Sequence, residues 1–203
     1  MRIAQITSYI FHPILMPVIG LVIILNSGIY SVELPADFRK YLYLMTILCT
    51  LVLPLSFLPV LLYFRYVKEI SLGERRERLI PLFFTTICFY TGYYFISRLS
   101  PVKVINLFLL SATLVVMLLL VISLFWKISI HAAGIGGITG LIMILSVAYT
   151  IDMTVLLSSA LLISGFIIAA RLALNTHTPL QLITGYVLGI ASVIGLMVRL
   201  MVR

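Results

Sequence analysis

Val104 to Trp126 reads V-I-N-L-F-L-L-S-A-T-L-V-V-M-L-L-L-V-I-S-L-F-W, a run without one formal charge. It exceeds the ~20 apolar residues an α-helix needs to cross a hydrocarbon core, and a helix satisfies its own backbone hydrogen bonds where lipid offers none. The run is read as a transmembrane helix, with Trp126 and Lys127 as interfacial anchors. Similar runs lie on both sides of it: Tyr9 to Asn26, Tyr41 to Phe64, Pro81 to Ser97, the Ser129–His131 entrance to Tyr149, Thr154 to Arg171, and Pro179 to Arg199. The fold class expected is all-α, a polytopic transmembrane bundle of about six to seven helices.

Composition agrees with this reading. Over 203 residues the chain is 63% hydrophobic and 10% charged, with a mean hydropathy of +1.23, far too apolar for an ordinary soluble domain. One integral membrane domain over residues 1–203 is expected, its polar motifs falling within 65–199. The formal charge of +8 does not indicate nucleic acid. The basic residues are spread through short loops, where positive-inside topology and phosphate-bearing lipids both call for them. Cys49 and Cys88 fall inside apolar runs, so neither a disulfide framework nor a thiolate metal site is indicated. The opening M-R-I-A-Q-I-T-S-Y leads into a long apolar run without a small-residue cleavage site, so no removable signal peptide is expected.

Prolines and glycines punctuate the helices. His12, Pro13 and Pro17 in the first helix, and Pro54 and Pro59 in the second, predict a kink or a broken turn. His12, alone at a helix entrance, reads as an interfacial residue ahead of a site residue. Ala133, Gly136, Gly137 and Gly140 on the fifth helix, and Gly185 and Gly189 on the seventh, form small-residue faces that let helices approach closely. Thr178, Pro179 and Gln181 match a capping box, and Ser129 alone reads as a helix N-cap.

Arg65 to Arg78 is the longest charged stretch. Each pair of crossings returns the chain to the side it left, so this loop, Lys127–His131 and Arg171–His177 share one membrane face. The count gathers Lys68, Arg75, Arg76, Arg78, Ser129, His131, Arg171 and His177. Charged residues between apolar runs cost several kcal/mol in hydrocarbon and mark a surface or a polar cavity. Cations with two histidines and no nearby carboxylate pair make a poor metal site and a poor glycosidase site. They suit an anion whose charge is neutralised during substitution, which points to phosphoryl transfer.

These residues resemble three motifs of the type 2 phosphatidic acid phosphatases, relatives of bacterial acid phosphatases and vanadium haloperoxidases. An arginine, five residues, a histidine, three residues and an aspartate is matched by Arg171 and His177, with Gln181 at the aspartate position and Gly185 and Gly189 beyond. Proline-serine-glycine-histidine stands here as Ile128-Ser129-Ile130-His131. Lysine, six residues and arginine-proline stands as Lys68, E-I-S-L-G-E, Arg75 and Arg76, with proline only at Pro81. The resemblance spans Lys68 to Gly189 and implies an acid phosphatase/haloperoxidase-like core in a bacterial inner membrane. It implies a lipid phosphate or polyprenyl diphosphate substrate, and no metal or cofactor. His177 would be the nucleophile and His131 the acid–base; Lys68, Arg75, Ser129 and Arg171 would hold the phosphate, with Gln181 in support.

The departures carry their own expectations. A neutral Gln181 can fix the tautomer of His177 but hardly stabilise a positive charge on it. Losing the glycine before His131 removes backbone freedom, and losing the proline after Arg75 leaves open which of Arg75, Arg76 and Arg78 meets the phosphate. A catalytically degenerate lipid-phosphate binding or transport protein on the same scaffold is the alternative. The motif face holds eight basic residues against six opposite, or five against six once three are committed to phosphate. Charge does not orient the chain; the resemblance implies an outward-facing site.

Overall fold

The computed structural model describes residues 2–29, 34–66 and 75–201. Among them every regular element is helical. Seven helical segments are long and apolar enough to cross a membrane: Ala4–Asn26, Ala36–Tyr63, Arg76–Leu99, Lys103–Ser123, Ile130–Tyr149, Thr154–Ala173 and Pro179–Arg199. The protein is an all-α polytopic bundle.

The first crossing is two helices, α1 (Arg2–Ile10) and α2 (Met16–Asn26), separated by a 3-10 turn at Pro13–Leu15. Pro13 disfavours the helical region for the residue before it, and His12 is accordingly extended at φ −65° and ψ 132°. Pro13 and Pro17 also lack the N–H that a continuous helix would use. The second crossing starts at Ala36, not at Tyr41: Pro35 sets the entry, and Asp37 and Lys40 form an exposed 3.2 Å ion pair on the first turn. It consists of α3 (Ala36–Ile47), one wide π turn at Leu48–Val52, and α4 (Leu53–Tyr63) with Pro59 inside. The π turn directly precedes Pro54, whose ring and missing donor a regular turn does not accommodate.

The remaining crossings are α5 (Leu79–Leu99), entered through a 3-10 turn at Arg76–Arg78, α6 (Lys103–Ser123), α7 (Ile130–Tyr149), α8 (Thr154–Ala173) and α9 (Pro179–Met201). Of α7's apolar window, 67% is buried, against 22 to 44% for the others, so α7 is the hub. Its tightest partner is α9. A Cβ on Gly189 would strike the carbonyl oxygen of Ala133, one on Gly136 that of Tyr186, and one on Gly185 would lie 2.6 Å from that of Ser129. Such contact needs bare backbone on both helices. It sets their entrances level, where the Ser129 N–H donates to the Gln181 carbonyl at 3.3 Å. Around this pair α5 packs on α6, α2 on α7 and α1 on α8. Cys49 and Cys88 are buried free thiols, Cys49 lying against Gly92.

Candidate active site

His177 sits in the turn between α8 and α9. Asn175 takes the left-handed conformation at φ 50°, which asparagine tolerates better than most residues. The Thr176 hydroxyl donates to the Arg171 carbonyl at 3.0 Å, closing the end of α8. At the start of α9 the capping box forms. Thr178 Oγ1 accepts from the Gln181 N–H at 3.4 Å, and Gln181 Oε1 accepts from the Thr178 N–H at 3.3 Å. The same Oε1 lies 3.0 Å from His177 Nδ1. Since a backbone N–H identifies that atom as the amide oxygen, Nδ1 must be the donor, and the lone pair of the neutral ring is left on Nε2.

A cavity of about 190 Å³ joins His177 to His131, Arg78, Arg171 and His12. His131 stands on the first turn of α7, behind Ser129, whose side chain accepts from the Ala132 N–H at 3.3 Å. His131 Nε2 lies 3.2 Å from the Ser8 carbonyl, which can only accept, so Nε2 carries its proton and Nδ1 is left open. The rings of His131 and His12 meet edge to face, with centroids 5.6 Å apart. Farther in, the walls turn apolar: Pro54, Leu55 and Leu58 from α4, Phe89 from α5 and Val116 from α6.

The polar end is cationic. Arg78 is 4% exposed, and its Nη1 donates to the Ile128 carbonyl at 3.2 Å. Arg171 has a buried Nε without a hydrogen-bond partner among the described residues. No carboxylate lines the cavity among those residues. Burial, together with Arg78, Arg171 and Lys127, pushes the His177 ring down to about 4, against a smaller upward pull from Gln181. Burial and then Arg78 and Arg171 lower the Lys127 ammonium as well. The N-termini of α5, α7 and α9, each carrying a partial positive charge, begin at Arg78, Ser129 and Thr178. Among the described residues this arrangement favours an anion.

Of the residues expected from sequence, His131, His177 and Arg171 line the cavity and Gln181 holds His177. Lys68 lies outside the described residues. Two of the expected residues, Arg75 and Ser129, do not line the cavity. Arg78 lines it in place of Arg75. On a 3-10 path, residues three apart share a face, so Arg78 stands beneath Arg75, about 6 Å farther along the axis. Ser129 is wholly buried and spends its side chain on the cap of α7, away from the cavity. His12, read as interfacial, lines the cavity. The crossing count carries the signal for it: two crossings separate the entrance of the first helix from the Arg65–Arg78 loop, which puts His12 on the same face. No known family model, curated protein or solved structure matches the chain.

Proposed function

We propose that the protein is a membrane-embedded phosphatase, a divergent member of the type 2 phosphatidic acid phosphatases, that hydrolyses a lipid phosphate or polyprenyl diphosphate in a bacterial inner membrane. One observation carries the proposal: two histidines 46 positions apart line a single cavity with two arginines, and His177 has its proton fixed on Nδ1. That tautomer leaves Nε2 as the nucleophile.

In this mechanism His177 Nε2 attacks phosphorus as the bond to the leaving oxygen breaks. With the anionic substrate bound, the His131 ring takes up a second proton on Nδ1, and this proton goes to the departing alkoxide or phosphate. The ring then takes a proton from the water that cleaves the phosphohistidine, releasing phosphate and restoring both rings. Splitting one displacement into two through a covalent intermediate is ordinary nucleophilic catalysis, and a placed acid–base group is worth ~10² to 10⁴-fold. Arg78 and Arg171 neutralise the phosphoryl oxygens. Gln181 positions His177, and Ser129 acts through the helix it caps. The apolar walls support a lipid substrate. The 190 Å³ cavity shares Pro13, Phe89, Val116 and Ile130 with a second one of about 50 Å³ lined by apolar residues deeper in the bundle, which suits a hydrocarbon chain.

The test is phosphate release from a panel of lipid phosphates by purified protein. Wild type releases phosphate and His177→Ala does not; equal release from both removes His177 from the mechanism. The neutral Gln181 favours a second reading, a binder of lipid phosphates without turnover. It predicts binding that survives His177→Ala and no release from either form.

A further inference from the structure

We infer that His12 is a third donor to the substrate, its Nε2–H bonding a phosphoryl oxygen of the anion held between Arg78 and Arg171. The inference rests on the phosphatase reading for its substrate, but its geometry is separate from the three motifs.

The first observation is the protonation state. The Ile14 N–H donates to His12 Nδ1 at 3.4 Å, so in the neutral ring the proton is on Nε2. Among the described residues Nε2 has no hydrogen-bond partner. The second is placement. The turn at Pro13 is pressed against α7 where Gly134 has no side chain; a Cβ there would lie 3.2 Å from Pro13 Cβ and 3.1 Å from Met16 Cγ. This contact fixes His12 beside His131, and both rings line the cavity. The third is need. Charge in phosphoryl transfer spreads over three equatorial oxygens. Two arginines and the entrance of α7 reach the cavity, and a neutral N–H donor adds a contact without adding charge to an already cationic site.

His12 also caps the 3-10 turn through Nδ1, so a structural role must be separated from contact with substrate. The two ring nitrogens permit this. His12→Asn keeps an acceptor near the Nδ1 position and loses the distal donor. His12→Gln keeps a donor near the Nε2 position and weakens the cap. Three quantities are measured for each: thermal unfolding, affinity for orthovanadate, and phosphate release from a lipid phosphate.

A hydrogen bond to a charged group corresponds to roughly a 10- to 100-fold effect. His12→Asn should lose that much in vanadate affinity and in kcat/KM while unfolding near the wild-type temperature. His12→Gln should stay within a few-fold of wild type in affinity and rate. Wild-type values for His12→Asn would overturn the inference. So would the reverse order, in which His12→Gln is the weaker binder and unfolds earlier. If wild type binds vanadate but releases no phosphate, the phosphatase reading fails, and the affinities alone still decide the role of His12.

Discussion

Gln181 gives one amide oxygen to two partners, the Thr178 N–H and His177 Nδ1, and so joins helix capping to the orientation of the proposed nucleophile. An amide sets the tautomer but would not offset the positive charge that the proposed N–P bond puts on the ring. Gln181→Glu is nearly isosteric and puts a carboxylate at that point. It should raise kcat at neutral pH and move the acidic limb of the rate profile up from about 4, where His177 titrates, toward the ordinary imidazole range. An unchanged profile would detach Gln181 from the chemistry. The same ring bears on stability. The unfolded chain protonates it as pH falls through about 6.5, the folded chain only near 4, so between those values the unfolded state binds more protons. The stability due to a neutral His177 is therefore complete above about 6.5 and is lost toward 4. Melting temperatures at pH 4.5 and 7.5 should differ less in His177→Gln than in wild type. An equal difference would place the acid sensitivity elsewhere. The spacing of Arg171, His177 and Gln181 was legible in sequence because all three lie at one junction, the end of α8, the turn and the start of α9. Arg78 was not, because choosing among neighbouring arginines needs the helix type at Arg76–Arg78, which their letters do not specify.

At the scale of elements, the site depends on the seam between α7 and α9, which carry His131 and follow His177. Gly189→Val would drive a branched side chain into the Ala133 carbonyl. Overpacking of this kind costs about 1 to 3 kcal/mol, and here it also moves one histidine relative to the other. A lower melting temperature and a disproportionate loss of activity are expected. Gly165→Ala on α8 is the control: nothing lies within 4 Å of a Cβ there, and the helix gains up to ~1 kcal/mol in propensity. If the two variants melt alike, close approach at the seam is not what holds it. Small residues at i and i+4 announced this seam in sequence, since only tight packing keeps such a stripe useful in lipid. The prolines announced a break in the first crossing, but not that the break would hold His12 edge-on to His131. That arrangement depends on Gly134, far along the chain.

Across the whole molecule, parity does most of the assembly. Crossings in pairs bring His12, Arg78, His131, Arg171 and His177 to one end of the bundle, and the N-termini of α5, α7 and α9 arrive there with them. This much follows from counting apolar runs, which is why the face was legible before any coordinates. The cavity's apolar extension was not, because it forms from side chains on helices that meet only in the folded bundle. With no carboxylate among the described lining residues, the donor set is poor for a divalent cation, and phosphate release should withstand chelators. The most direct test of the central claim is to quench the protein during turnover of a labelled lipid phosphate and locate the phosphoryl group by mass spectrometry. An acid-labile phosphate on His177, absent from His177→Ala and accumulating in His131→Ala, is the result predicted; turnover with no phosphate on His177 would contradict it.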